Sequence, residues 1–193
     1  MAFGMMLATL VAVLPLQPYR VQLETTKGPI VLEVVPAWAP LAAERFRELV
    51  RIGYYDDSRF FRVTSKWVQF GISGNPTLAR KWRDATFSDE PPGERAANLR
   101  GTVAFAFAVP HGRSTQVFIN LVDNRRLDAE GFVPFARVVD GMKVVDSLYA
   151  GYGESSGGGI RGGKQDPLFT GGNAWLDAHF PLLDSLLRAR ILP

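Results

Sequence analysis

The stretch YRVQLETTKGPIVLEVV, residues 19–35, sets Val21, Leu23 and Thr25 against Gln22, Glu24 and Thr26 in strict alternation. It turns at Lys27-Gly28 and resumes as a second apolar run. Period-two alternation puts apolar side chains on one face of an extended chain, and the glycine marks a reversal, so the segment is predicted to be a β-hairpin. Downstream, APLAAERFRELVRIGYY (39–55) carries Leu41, Ala42, Phe46, Leu49 and Val50 at helical spacing, with Pro40 suited to a first turn and Gly53 to a stop.

Further short strands are predicted from Arg59 to Val63, from Trp67 to Ile72, and in GTVAFAFAV (101–109), TQVFINLV (115–122) and FVPFARVV (132–139). GMKVVDSLYAGYG (141–153) reads as a second helix with Val144, Val145 and Leu148 on one face. Residues 73–100, rich in Pro, Gly, Asn, Asp and Glu, read as a long surface excursion, a kind of loop that often carries function. ESSGGGIRGGKQD (154–166) has flexible-linker composition. The tail, 173–192, has helical spacing through Trp175, Leu176, Phe180, Leu183, Leu186 and Leu187, interrupted by Pro181. Many short strands with a helix after the first hairpin and another after the last strands point to a barrel or sandwich capped by helices.

The 193 residues suit one domain, and 47% hydrophobic against 21% charged residues leaves enough apolar surface for a core. The net charge of +3 comes from scattered Arg and Lys, so nucleic acid is not an expected partner. With no cysteine, the chain has no disulfides, thiol nucleophile or cysteine metal site. His111 and His179 are the only histidines, too few for a His-based metal site or a Ser-His-Asp triad to be expected. Met5 to Leu14 is an uncharged apolar run, shorter than the ~20 residues a membrane helix needs. It fits the middle of a signal peptide, which favours export; packing of this segment on the domain is the alternative.

Two motifs are set aside. GGIRGGK (158–164) matches part of a phosphate loop, but Gln165 stands where Ser or Thr would bind magnesium, and neither a leading strand nor a following helix is expected. Ser73 has no identifiable base. The carboxylate pairs Asp56-Asp57 and Asp89-Glu90 sit in turn-like contexts and are expected to face solvent.

Arg62 and Gln69 are different. They sit inside the apolar run RFFRVTSKWVQFGISG (59–74), where a guanidinium or an amide is costly to bury without a partner. If the strands share one sheet, Arg62, Gln69 and Gln116 stand beside Phe118, Leu127 and Phe132. That would form an apolar hollow with a few directional donors, the usual make-up of a ligand site.

From about Tyr19 to Tyr149 the chain resembles the cyclophilin-type peptidyl-prolyl isomerases. LETTKGPIVLEV, APLAAERFRELVRIGYYDD, FFRV, VQFG, RGTVAFA, STQVFIN, LD and FARVVDGMKVVD occur in that family's order and at nearly its spacing. The resemblance implies a mainly β fold, a closed eight-stranded antiparallel barrel capped by two helices. It would span 18–150, with a leader or apolar segment at 1–17 and a Gly-rich linker and helical extension at 151–193 packed on the barrel. It implies Arg62 as the catalytic residue, with Phe61 where the family has histidine. It implies substrate binding by Trp67, Gln69, the main chain at Ala106 and Phe107, Gln116, Phe118, Leu127 and Phe132. Six residues separate Arg62 from Gln69 where the family has seven. Arg126 replaces a tryptophan prominent in cyclosporin binding, which implies weak binding of that drug. No cofactor or metal is implied. The expected partners are proline-containing peptides and unfolded proteins, met by a monomer not inserted in a membrane. The alternative is a catalytically weak module on the same fold, holding proline-containing segments or a partner.

Overall fold

A computed structural model describes residues 17–91, 93–159 and 164–193. The predicted leader therefore lies outside the described residues, as does part of the glycine-rich stretch. The first hairpin is present as β1 (Tyr19–Thr25) and β2 (Gly28–Val34), with Thr25 opposite Gly28. Val21, Leu23, Ile30, Leu32 and Val34 are fully buried. The first helix, α1 (Pro40–Arg51), buries Ala42, Phe46, Leu49 and Val50 on the sheet and ends before Gly53, which takes φ +67°.

The remaining strands are β3 (Ser58–Arg59), β4 (Arg62–Val63), β5 (Trp67–Phe70), β6 (Thr102–Phe105), β7 (Val117–Asn120), β8 (Pro134–Asp140) and β9 (Ser185–Ile191). They form one nine-stranded sheet in the order β3-β9-β1-β2-β8-β6-β7-β5-β4, antiparallel at every pairing. This corrects the closed eight-stranded barrel. The edge strands β3 and β4 do not pair with each other, and the sheet is an open half-barrel. The run predicted as one strand, Arg59 to Val63, is split between those two edges, and Phe60-Phe61 carries the chain from one to the other. Phe60 enters the main core with Phe46, Tyr55, Phe70 and Phe135.

The tail is the second correction. A helix, α5 (Asp166–His179), is present, but the chain then returns as β9, between β1 and β3. The reason is a bulge. Leu186 lies opposite Thr25 and Arg188 opposite Glu24, so Leu187 is an extra residue, and it is 51% exposed. Leu183, Leu186 and Leu187 imitate a helical period, but Leu187 is the exposed extra residue of the bulge rather than part of a buried helical face. The residues after 150 thus contribute a strand to the main sheet as well as a helical cover.

The excursion at 73–100 also holds more structure than its composition implies. Asn75 caps α2 (Pro76–Arg83), accepting from the backbone N–H groups of Thr77 and Leu78 at 2.9 and 3.3 Å. Helices α2 and α5 enclose a second apolar cluster of Phe61, Ile72, Ala79, Leu168, Phe169 and Leu176. Glu90, expected in solvent, is buried and caps α1 from outside, accepting from the N–H of Leu41 at 3.2 Å and of Ala42 at 2.7 Å. Burial pushes its carboxyl above the ordinary value, against the pull of those two bonds. The second predicted helix is α4, confined to Met142–Asp146.

Candidate active site

Register decides which side chains meet. Arg62 on β4 lies opposite Gln69 on β5, Gln69 opposite Phe118 on β7, and Phe118 opposite Ala104 on β6. Directly paired residues of an antiparallel ladder project to the same face, so these four form one row across four strands. Trp67, two residues before Gln69, shares that face. The turn with one residue fewer keeps this register: the Thr64 N–H donates to the Trp67 carbonyl at 3.0 Å, and Val63 pairs with Val68. At the other end of β5, Gly71 has φ +104°, and a Cβ there would lie 2.5 Å from the Thr115 carbonyl oxygen. That close approach seats the backbone at Gln116 beside Gln69.

The remaining wall comes from a loop bearing the single turn α3 (Arg126–Ala129). A buried asparagine network holds it. The Asn98 side chain donates to Asp128 at 2.8 Å and to the Phe132 carbonyl at 2.7 Å, and it accepts from Asn120 at 3.1 Å. Leu127 and Phe132 are thereby set against Phe118, with the Phe118 and Phe132 ring centroids 5.7 Å apart. Phe107 packs on Phe132 with the ring centroids 4.4 Å apart and the planes tilted by 39°, and the Arg113 guanidinium lies over the Phe107 ring, 3.9 Å from its centroid.

The result is a hollow of about 190 Å³ lined by Arg62, Trp67, Gln69, Ala106, Phe107, Phe118, Leu127 and Phe132, with Arg126, Glu130 and Gly159 at its margin. Every predicted site residue is brought to this place; Gln116 is buried just behind, its Oε1 accepting from Gln69 Nε2 at 2.8 Å. The volume is below the ~300 Å³ at which drug-sized pockets begin, and suits one ring-sized apolar group.

Arg62 is held on several sides. Its Nη1 donates to Gln69 Oε1 at 2.9 Å, and its guanidinium carbon lies 5.0 Å from the Trp67 ring centroid. Its Nε and Nη2 donate to the two oxygens of Glu154 at 2.8 and 2.7 Å. The Arg62 side chain is 16% exposed.

A family model, cyclophilin type peptidyl-prolyl cis-trans isomerase/CLD, matches residues 20–161. The chain belongs to the cyclophilin family. Among its relatives, peptidyl-prolyl cis-trans isomerase B of Escherichia coli (strain K12) is 33% identical over 136 residues, covering 66% of this chain and 82% of that one. Peptidyl-prolyl cis-trans isomerase cyp18 of Streptomyces antibioticus is 37% identical over 137 residues, covering 66% and 81%. In fold, the chain is similar to the Cryptosporidium parvum cyclophilin type isomerase cgd2_1660, with a TM-score of 0.65 at 20% identity over 91% of this chain and 98% of that one. That protein has also been solved in the presence of the dipeptide Ala-Pro.

Within this cyclophilin, Phe61 points away from the hollow. It is 1% exposed, packed in the cluster under α5, and a Cβ on Gly157 would come within 2.5 Å of its ring. The aromatic in place of the family's histidine therefore answers to the cover laid down by the C-terminal segment. Sequence reading missed Glu154, which sits in a stretch read as linker. The available signal was that Glu154 is the only acidic residue between Asp146 and Asp166. The phosphate-loop match remains unsupported: a helix does follow it, at Asp166, but residues 160–163 lie outside the described residues.

Proposed function

We infer that this cyclophilin is a peptidyl-prolyl cis-trans isomerase in which Arg62 stabilises the half-rotated X-Pro bond. Turning a peptide bond costs ~18–20 kcal/mol because its C–N bond has partial double-bond character. At the halfway point that resonance is lost, and the proline nitrogen becomes a hydrogen-bond acceptor. Phe118, Leu127 and Phe132 supply the apolar seat for the proline ring, with Trp67 at its side. Gln69 and the backbone at Ala106 and Phe107 offer partners to the flanking peptide, with Gln116 supporting Gln69 from behind. Arg62 is permanently charged, and two of its five N–H groups, one on each Nη, remain for the substrate once Glu154 and Gln69 are served. A donor that meets the nitrogen only when the bond is twisted raises rate rather than binding alone. No covalent bond forms or breaks.

The observation that carries this reading is the fixed guanidinium at the edge of a proline-sized apolar hollow. A protease-coupled assay on an Ala-Pro peptide tests it: acceleration supports the enzyme, while peptide binding without acceleration gives the binding module.

We propose further that the protein acts as a monomer on X-Pro bonds of unfolded or loop segments, and that it assists the folding of exported proteins. The apolar run from Met5 to Leu14 supports export. Among the described residues, no helix is long and apolar enough to cross a membrane. N-terminal sequencing of the mature protein from cell fractions tests the address, and sedimentation tests the monomer.

A further inference from the structure

The segment after α4 does more than cover the sheet. We propose that Glu154 and Gln165, both outside the stretches that carried the resemblance, are positioning residues of the isomerase site. Glu154 would clamp Arg62, and Gln165 would orient Gln116 and, through it, Gln69. The proposal rests on the isomerase reading above.

A run of hydrogen bonds with a single polarity carries it. Arg62 Nη1 donates to Gln69 Oε1 at 2.9 Å, Gln69 Nε2 to Gln116 Oε1 at 2.8 Å, and Gln116 Nε2 to Gln165 Oε1 at 2.8 Å. Gln165 Nε2 closes the run on the Gly158 carbonyl at 3.3 Å. A guanidinium can only donate and a carbonyl can only accept, so the two ends dictate the direction of all three amides. Flipping any one would set N–H against N–H inside a region where Gln69, Gln116 and Gln165 are each at least 95% buried. Gln165 is thus the member that passes the fixed direction to Gln116 behind the hollow and, through it, to Gln69 on its wall. Without it, the Gln116 amide loses the acceptor for its Nε2.

Glu154 acts on the other side of Arg62. Its two oxygens take Nε and Nη2 in a fork-to-fork pair, the arrangement that fixes the guanidinium plane. Gln69 takes Nη1, and the Trp67 ring lies alongside. The loop carrying Glu154 has its own anchorage. Ser156 Oγ donates to the Phe61 carbonyl at 2.6 Å, Gly157 packs on the Phe61 ring, and Gly159 lies against the guanidinium. The loop therefore does not depend on the carboxylate, which is 56% exposed, and exposed ion pairs contribute little to stability.

The test compares Glu154→Ala, Glu154→Asp and Gln165→Leu with the wild-type full chain, by protease-coupled isomerisation of an Ala-Pro peptide and by 15N NMR of side-chain signals. Glu154→Ala is expected to lower kcat about tenfold, since displacement of a catalytic group by ~1 Å costs up to ~100-fold. Peptide affinity should change less than about twofold and the melting temperature should hardly move. Glu154→Asp should recover part of the rate. Gln165→Leu should shift the Gln116 and Gln69 amide signals and weaken peptide binding. Unchanged or increased kcat in Glu154→Ala overturns the positioning role, an increase making Glu154 an inhibitory clamp. The NMR arm is independent of turnover. An Arg62 Nε–H signal unmoved by Glu154→Ala overturns the clamp even in a chain with no isomerase activity, whereas an inactive wild type with the signals moving as expected overturns only the isomerase reading.

Discussion

Arg62 and Gln69 face each other directly across the β4–β5 ladder, and the guanidinium donates to the amide oxygen at 2.9 Å. This places the charge at the rim of the hollow with its orientation set by a buried neighbour, since Gln69 is only 1% exposed. Arg62→Ala should lower kcat/KM by about 10²–10³-fold, the loss typical of removing one oriented donor from a catalytic site. Arg62→Lys should recover little, because an ammonium cannot serve Glu154, Gln69 and substrate with one planar fork. The protease-coupled assay reads the rate, and circular dichroism checks that the fold survives. A rate within twofold of wild type in Arg62→Ala would remove Arg62 from its role.

Phe61→His restores the residue type usual in the family, yet it should damage the protein rather than improve it. The ring lies in the cluster with Ile72, Leu168 and Phe169, where an imidazole would bury polar nitrogens among apolar groups. A cost of about 2–3 kcal/mol follows from lost packing and an unpaired polar group. For a chain of this size that is a fall of about 5–10 °C in melting temperature. Thermal unfolding followed by near-ultraviolet circular dichroism measures it. A stability equal to wild type, with higher activity, would mean that position 61 belongs to the site.

The part of the candidate site that lies on strands, Arg62, Trp67, Gln69 and Phe118, was legible because it is written in register. Once the chain has a paired β4, β5, β7 and β6, period-two alternation brings Arg62, Gln69, Phe118 and Ala104 to one face without help from distant parts. The hairpin at Tyr19–Val34 and the helix from Pro40 were equally local decisions. The misreadings share a physical cause. The bulge at Leu187 gave a strand the period of a helix, and two edge strands of two residues each looked like one strand of five. Glu90, Glu154 and Gln165 have their partners 49, 92 and 49 positions away, and nothing in their immediate sequence reveals a tertiary contact of that kind.

Arg126 stands at the margin of the hollow with Glu130, Nη1 to Oε1 at 3.4 Å, where the resemblance implies a tryptophan in cyclosporin-sensitive relatives. An exposed ion pair offers the drug no apolar face or indole N–H. Inhibition by cyclosporin should therefore be weak, and Arg126→Trp should strengthen it about tenfold or more, as a buried indole with one hydrogen bond would. An inhibition titration on both proteins measures this. Tight inhibition of the wild type would show that the Arg126 position does not govern the drug.

The far wall of the hollow depends on charge. Asp89 pairs with the buried Arg113, whose guanidinium lies over the Phe107 ring, and Phe107 in turn packs on Phe132. Partial burial works to raise the Asp89 carboxyl, but the backbone N–H of His111 and the Arg113 charge outweigh it and hold the group below its ordinary value. A carboxyl depressed in the folded state adds stability above its unfolded pKa of ~3.9, and that stability is lost as the pH falls through the folded value. Asp89→Asn should therefore lower the melting temperature at pH 6–7 by a few degrees, a modest effect because the Asp89 side chain is 39% exposed. The gap between wild type and variant should begin to close as the pH drops below about 4, where the unfolded chain takes up its proton, and should vanish as the pH falls through the lower folded value. Removing the anchor of Arg113 should also loosen Phe107 and raise KM for the Ala-Pro peptide more than it lowers kcat. Melting curves from pH 3 to 7 decide the first point: a gap independent of pH would mean that the Asp89 charge contributes nothing to holding this wall.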